Sequence, residues 1–140
     1  MKLLTFITAL TLLFSSHSFA KSVVGKVLFC ENKDKFEFTV GYVFLDEENV
    51  ERVFIHKLEV YSLKLRYETS LRQIKIGIER GSNTYIYSID RKTLIGEFIV
   101  RIKDRVYPPS IRKCSVQNSK EELVNLMRKG IQKILNNNQL

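Results

Sequence analysis

Residue types that carry out chemistry are sparse in this chain, and their spacing is uninformative. It has two histidines, His17 and His56. His17 falls in the leader described below, and His56 stands alone in an extended stretch between Ile55 and Lys57. A Ser-His-Asp hydrolase needs three groups in mutual reach, and no Gly-x-Ser-x-Gly elbow accompanies His56. Zinc hydrolases place two histidines on adjacent turns of a helix, and no such pair occurs. The acidic run Asp46-Glu47-Glu48-Asn49 offers hard oxygen ligands. It lacks the ligand spacing and the glycine of a calcium loop, so it reads as a turn. The six glycines are isolated and form no phosphate-cradling pattern. No catalytic residue, metal site or cofactor follows, and the expectation is a non-enzymatic protein.

The two cysteines acquire meaning from the start of the chain. Met1-Lys2 precedes an apolar run from Leu3 to Phe14, then a short polar stretch and Ser18-Phe19-Ala20. A charged start, an apolar core and a small-x-small end make a secretory signal peptide over residues 1–20, cut after Ala20. The apolar run falls short of the roughly 20 residues a spanning helix needs. The expected mature chain starts at Lys21, is periplasmic or secreted, and has no transmembrane segment. In an oxidising compartment Cys30 and Cys114 read as a disulfide. That pairing removes both candidates for a thiol nucleophile.

Charge narrows the partners. Lysine and arginine number 23 against 15 acidic residues, a formal net charge of +8, one unit lower once Lys2 leaves with the signal. Such an excess favours an anionic partner, here an envelope component. Nucleic acid is a poor fit for an exported chain without a recognition motif. The basic residues are scattered, and the simplest use of them is to solvate exposed strand faces.

These residues must be positioned mainly by strands. Phe36, Phe38, Val40, Tyr42 and Phe44 alternate with polar or small residues, which predicts one half-buried strand. Val23–Cys30, Val50–Leu58, Tyr61–Tyr67, Ile74–Ile78, Tyr85–Ile89 and Leu94–Ile102 repeat the pattern. Polar turns at Asp46–Asn49, Arg80–Asn83 and Asp90–Lys92 separate them. Gly41, Gly77 and Gly96 interrupt strands, where glycine marks a bulge or bend. Pro108-Pro109 breaks the series. Ser119 and Glu122 then form a capping-box signature ahead of Leu123, Leu126, Met127, Ile131, Ile134 and Leu135. The expected fold is mainly β. It is an antiparallel meander of about seven or eight strands, as a small barrel or curved sheet. A C-terminal amphipathic helix over 119–135 docks on the sheet or closes a barrel end. The whole is one domain over 21–135, with a frayed tail at 136–140.

Two features point to binding. Phe36, Phe38, Tyr42, Phe44, Tyr61, Tyr67, Tyr85, Tyr87 and Phe98 form aromatic stripes that either line an apolar pocket or pack as a core. Arg101, Lys103 and Arg105 share one face if their strand runs that far, and with Arg112 and Lys113 they make a candidate anion patch. The expected function is therefore a periplasmic binding or interaction domain. A carrier of a small apolar ligand is the alternative, and a secreted enzyme the remaining one.

The order of elements, a run of antiparallel strands and then one helix, resembles the plan of the lipocalins. The chain has no tryptophan and so lacks their Gly-x-Trp motif. Tyr85-Ile86-Tyr87-Ser88-Ile89-Asp90-Arg91-Lys92-Thr93-Leu94 resembles the strand–Ile-[Asp/Asn]-Arg-x-Thr-Leu–strand link of short secreted bacterial proteins. Those proteins share the signal peptide and a cysteine in the first strand. The resemblance implies no activity. Asp90 and Thr93 carry oxygens suited to bonding turn amides, and Ile89 and Leu94 suit the core.

Export makes a mass prediction. Protein recovered from the envelope of expressing cells should begin at Lys21 and weigh two hydrogens less than its reduced form. Intact mass spectrometry before and after reduction reads both, and a chain retaining Met1 to Ala20 would overturn the compartment assignment.

Overall fold

The computed structural model describes residues 21–138; the signal peptide expected over residues 1–20 lies outside them. Nine strands form one antiparallel sheet: β1 (Val27–Glu31), β2 (Val40–Phe44), β3 (Asn49–His56), β4 (Glu59–Thr69), β5 (Gln73–Arg80), β6 (Asn83–Asp90), β7 (Ile95–Ile102), β8 (Arg105–Val106) and β9 (Ser110–Gln117). Helix α1 (Lys120–Asn137) follows. Each of β1 to β7 pairs with the next, β7 pairs with β9, and β9 pairs with β1. The result is a closed eight-stranded barrel, with β8 a short extra strand on β7.

Closure depends on β9, a strand that the prolines obscure in the sequence. It lies against β1 from Val27↔Gln117 to Glu31↔Lys113. Cys30 and Cys114 face each other in this ladder and are joined by a disulfide. The bond thus crosses the seam where the two ends of the barrel sheet meet.

The apolar residues form two cores on opposite sides of the barrel wall. Leu28, Cys30, Val40, Tyr42, Phe44, Val50, Tyr67, Ile74, Ile76, Tyr87, Ile89 and Cys114 pack in the interior. Val27, Phe29, Val53 and Ile55 point outward and are covered by Leu123, Met127 and Ile131 of α1. The helix therefore docks on the outer face of the sheet. Ser119 Oγ accepts from the Glu122 amide at 3.1 Å, and Glu122 Oε2 accepts from the Asn118 amide at 2.8 Å. This reciprocal cap fixes where the helix starts. At its other end the helix runs through Asn136 and Asn137, beyond its expected stop.

Two glycines let the helix come close. A side chain at Gly41 would run into Leu123, and one at Gly130 into the ring of Phe36. Close approach, not a strand bend, is what Gly41 provides. Phe36 does not extend β2. Residues Phe36–Phe38 form a 3-10 turn, with Phe36 packed against the outer core and Phe38 exposed. The alternation from Phe36 to Phe44 is thus half coincidence: Phe36 serves the helix, and only Val40, Tyr42 and Phe44 serve the barrel interior.

One end of the barrel is tied shut by turn chemistry. Asp46 Oδ1 accepts from the amides of Glu48 and Asn49 at 2.9 and 2.8 Å. The Tyr67 hydroxyl donates to the Asp46 carbonyl at 2.6 Å. Asp90 Oδ1 accepts from the amides of Lys92 and Thr93 at 2.9 and 2.7 Å, and Thr93 Oγ1 accepts from the Ile95 amide. Arg91 donates to the carbonyls of Ser70 and Lys21, joining its loop to the β4–β5 loop and to the start of the domain. At the opposite end, Lys57 and Leu58 make a two-residue hairpin with φ of 49° and 62°. Both positions of a type I′ turn need positive φ, which this pair supplies without the usual Asn-Gly.

Replacing both Cys30 and Cys114 by alanine should lower stability by about 2–4 kcal/mol, the usual effect of a disulfide closing a long loop. Denaturant unfolding of the two proteins measures it. An unchanged midpoint would mean that the β1–β9 ladder needs no covalent help.

Candidate functional site

The open end of the barrel holds a cavity of about 380 Å³. Its wall is Tyr42 from β2, Arg52 and Phe54 from β3, Leu63 and Leu65 from β4, Ile76, Ile78 and Arg80 from β5, Tyr85 and Tyr87 from β6, and Phe98 from β7. Each projects inward because side chains alternate along a strand, and register keeps partners level. Tyr42 lies opposite Arg52, Phe54 opposite Tyr61, Ile76 opposite Tyr87, and Tyr87 opposite Phe98. Below the cavity, Phe44 and Tyr67 meet edge to face at 5.0 Å and fill the closed end.

The wall has a gap. Strands β4 and β5 pair only from Tyr67↔Ile76 to Thr69↔Ile74. Towards the open end Leu63 and Leu65 on one side, and Ile78 and Arg80 on the other, belong to strand edges that do not pair with each other. The neighbouring ladders, β3–β4 and β5–β6, run almost the full length of their strands. Separation of β4 from β5 gives the cavity a lateral opening as well as its open end.

Aromatic rings and Arg52 line the far wall, and Arg112 lies behind the rings. The rings of Tyr42 and Tyr87 are 5.2 Å apart, and those of Tyr87 and Phe98 are 6.0 Å apart. The Arg52 guanidinium lies 5.0 Å from the centre of the Phe54 ring. Arg112, from β9, projects into the barrel and stacks over both Tyr87 and Phe98 at 5.7 and 5.5 Å. It is only 8% exposed. Gly96, directly opposite Arg112, leaves room for the Tyr87 ring, since a Cβ there would sit 2.9 Å from Tyr87 Cε1 and its hydroxyl oxygen.

Several sequence-derived candidates come together here and others do not. Tyr42, Tyr85, Tyr87 and Phe98 line the cavity. Phe44 and Tyr67 are buried core beneath it, while Tyr61 stands at the rim, stacked on Phe54. Phe36 and Phe38 lie outside the barrel, because the chain turns at that point. The five basic residues do not form one patch. The chain reverses at Lys103–Asp104, so Arg101 pairs with Val106 and Arg105 with Ile102, on opposite faces. Lys113 faces outward, and Arg112 faces inward beside Cys114. His56 is exposed at the end of β3, its ring edge-on to Tyr61 at 5.9 Å.

Arg52, Phe54 and the aliphatic wall complete the site. Arg52 is hard to read from sequence because β3 is apolar on both faces, Val53 and Ile55 serving the helix. Arg112 carries a usable signal: it shares the parity of Cys114, so an inward disulfide points it inward too. Among the described residues no helix is long and apolar enough to cross a membrane, and no cluster of acidic, histidine or cysteine side chains suits a metal ion.

The tyrosines at the base of the cavity hold their protons strongly. Burial pushes the Tyr87 hydroxyl up to about 12, against the opposing pull of Arg112 and Arg52. Burial, helped by Tyr87, raises Tyr42 further above the tyrosine range, again opposed by Arg52 and Arg112. Comparison with known protein families, curated proteins and solved structures finds no match for the chain.

The folded state keeps these phenolic protons more tightly than the unfolded chain, whose tyrosines ionise near 10. Their contribution to stability is complete below about pH 10 and falls as pH rises towards about 12. Unfolding midpoints measured across this window should drop more steeply for the native chain than for a Tyr42→Phe/Tyr87→Phe variant. Equal slopes would place the alkaline sensitivity elsewhere.

Proposed function

We propose that this protein is an exported, non-enzymatic binding barrel that carries a small apolar ligand in its interior. The observation that supports this reading is the cavity of about 380 Å³ lined by aromatic and aliphatic side chains. A barrel evolved only for stability fills its interior at close to crystal density. Here the closed end is filled in that way and the open end is not. The volume falls in the range of small-molecule sites, which are mostly apolar with a few polar groups to set orientation. The gap between β4 and β5 offers a route for an elongated molecule to pass the wall without breaking a ladder.

The disulfide agrees with an oxidising compartment, where such bonds persist. The enzyme alternative rests on His56, which is exposed at the end of β3 and makes no side-chain hydrogen bond among the described residues. The basic-patch form of an interaction domain has little support, because its five residues are dispersed.

A neutral fluorescent probe tests the reading. N-phenyl-1-naphthylamine should bind one per chain, with enhanced emission, and should be displaced by neutral apolar molecules. Leu65→Trp, which places an indole in the cavity, should weaken probe binding about tenfold or more while leaving the circular dichroism spectrum unchanged. Absence of saturable probe binding to the native chain would refute the carrier function.

A further inference from the structure

We propose that the ligand is a single-chain amphiphile with an anionic head, a carboxylate, bound at Arg52 on the side of the buried Arg112, with its tail along β4 and β5. This inference rests on the carrier reading above and specifies its ligand.

The argument starts from an unpaired buried charge. Guanidinium groups are rarely buried without a partner, because desolvation strongly disfavours an isolated charge. Arg112 is 8% exposed, yet forms no salt bridge among the described residues. Its Nε has no hydrogen-bond partner, and neither has the hydroxyl of Tyr87 beside it. The ion pairs formed among the described residues, Arg66–Glu48 and Lys120–Glu51, lie elsewhere. The charged residues lining the cavity, Arg52 and Arg80, are both basic. The interior therefore gathers positive charge and supplies no negative charge of its own.

Stacking accounts for how Arg112 is held, but not for its edge. Contacts with the faces of Tyr87 and Phe98 offset part of the desolvation cost. They leave the Arg112 Nε without a partner, directly behind the cavity lining, where its charge favours an anion. Arg52, stacked on Phe54, lines the cavity itself, and a guanidinium fork matches a carboxylate. Tyr42 and Tyr87, held protonated by burial, keep O–H groups able to donate to an anion. Arg52, the two phenols and the charge of Arg112 behind them thus favour a group that brings acceptors and negative charge.

The rest of the cavity sets the ligand's other end. Leu63, Leu65, Ile76 and Ile78 are aliphatic and border the gap in the wall. Polar groups on β2, β3 and β6 face aliphatic groups on β4 and β5, where Arg80 stands at the open-end tip of β5. That is the division an amphiphile has, with its head inside and its tail towards the opening.

The test uses dodecanoate, dodecanol and dodecyltrimethylammonium, each below its micelle concentration, as competitors of the neutral probe. Dodecanoate should displace it at about a tenfold lower concentration than dodecanol, the scale of a hydrogen bond to a charged group. Dodecyltrimethylammonium should be the weakest. Arg112→Met should abolish the preference for dodecanoate and leave dodecanol binding unchanged. Without ligand it should also melt higher than the native chain, since an unpaired buried charge has been replaced by an apolar side chain of similar length. Arg52→Met, at the cavity wall, should reduce the same preference and gives the answer if the first variant fails to fold.

Equal displacement by dodecanoate and dodecanol would overturn the anionic head and leave the apolar carrier standing. An Arg112→Met variant that melts lower and keeps the preference would make Arg112 a structural residue, again against the proposal. Failure of the probe and all three competitors to bind would remove the carrier function together with it.

Discussion

Everything in this fold depends on one seam. A sheet of eight strands has two edges until the last strand reaches the first, and unpaired edges expose backbone donors and acceptors. Here β9 closes on β1 along the length of β1, and Cys30–Cys114 joins the two covalently. The same contact fixes the direction of every side chain on β9. With Cys114 turned inward, Arg112 must point inward as well, and Lys113 outward. Position of the buried charge is therefore a by-product of closure.

Helix α1 explains how the interior can remain partly empty. A small barrel normally gains its stability from the side chains that fill it. This one has a second core outside, where Val27, Phe29, Val53 and Ile55 meet Leu123, Met127 and Ile131. Burial on that outer face stabilises β1 and β3 independently of what fills the cavity. Gly41 is the point of closest approach, since Leu123 sits where any side chain would be. Of the two strands that separate, β4 also meets the helix-side core through Val60, so the helix supports one flank of the opening.

Much of this was legible in the sequence, for identifiable reasons. Strands β4 to β7 have one wet face, so their alternation reveals both their extent and their inner side. The capping box of Ser119 and Glu122 marks the helix, and Asp90 and Thr93 mark their turn by side-chain chemistry. The failures come from residues with two neighbourhoods. Phe36 continues the parity of Tyr42 but belongs to the outer core. Arg52 lies on a strand apolar on both faces, where parity gives no inside. Lys57-Leu58 makes a hairpin without turn-forming residues, which blurs the end of β3. The strand after Pro108-Pro109 is short of apolar pattern because one of its inward residues is an arginine. The cavity itself depends on how strands separate, which no local pattern encodes.

The seam also governs when the molecule becomes a molecule. Pairing of Val27 with Gln117 joins positions near the two ends of the domain, so the most distant contacts are the ones that complete the sheet. Folds dominated by such contacts form slowly, because the entropy of closing the loop is lost before the contacts repay it. No N-terminal portion ending before β9 can close, and one that ends between β7 and β9 presents β1 and most of β7 as open edges. A ribosome or translocation channel releasing this chain therefore releases an incomplete sheet until its last strand emerges. The period of greatest vulnerability to proteolysis and aggregation is set by that strand, whose eight residues hold both the cysteine that locks the barrel and the arginine that waits inside it.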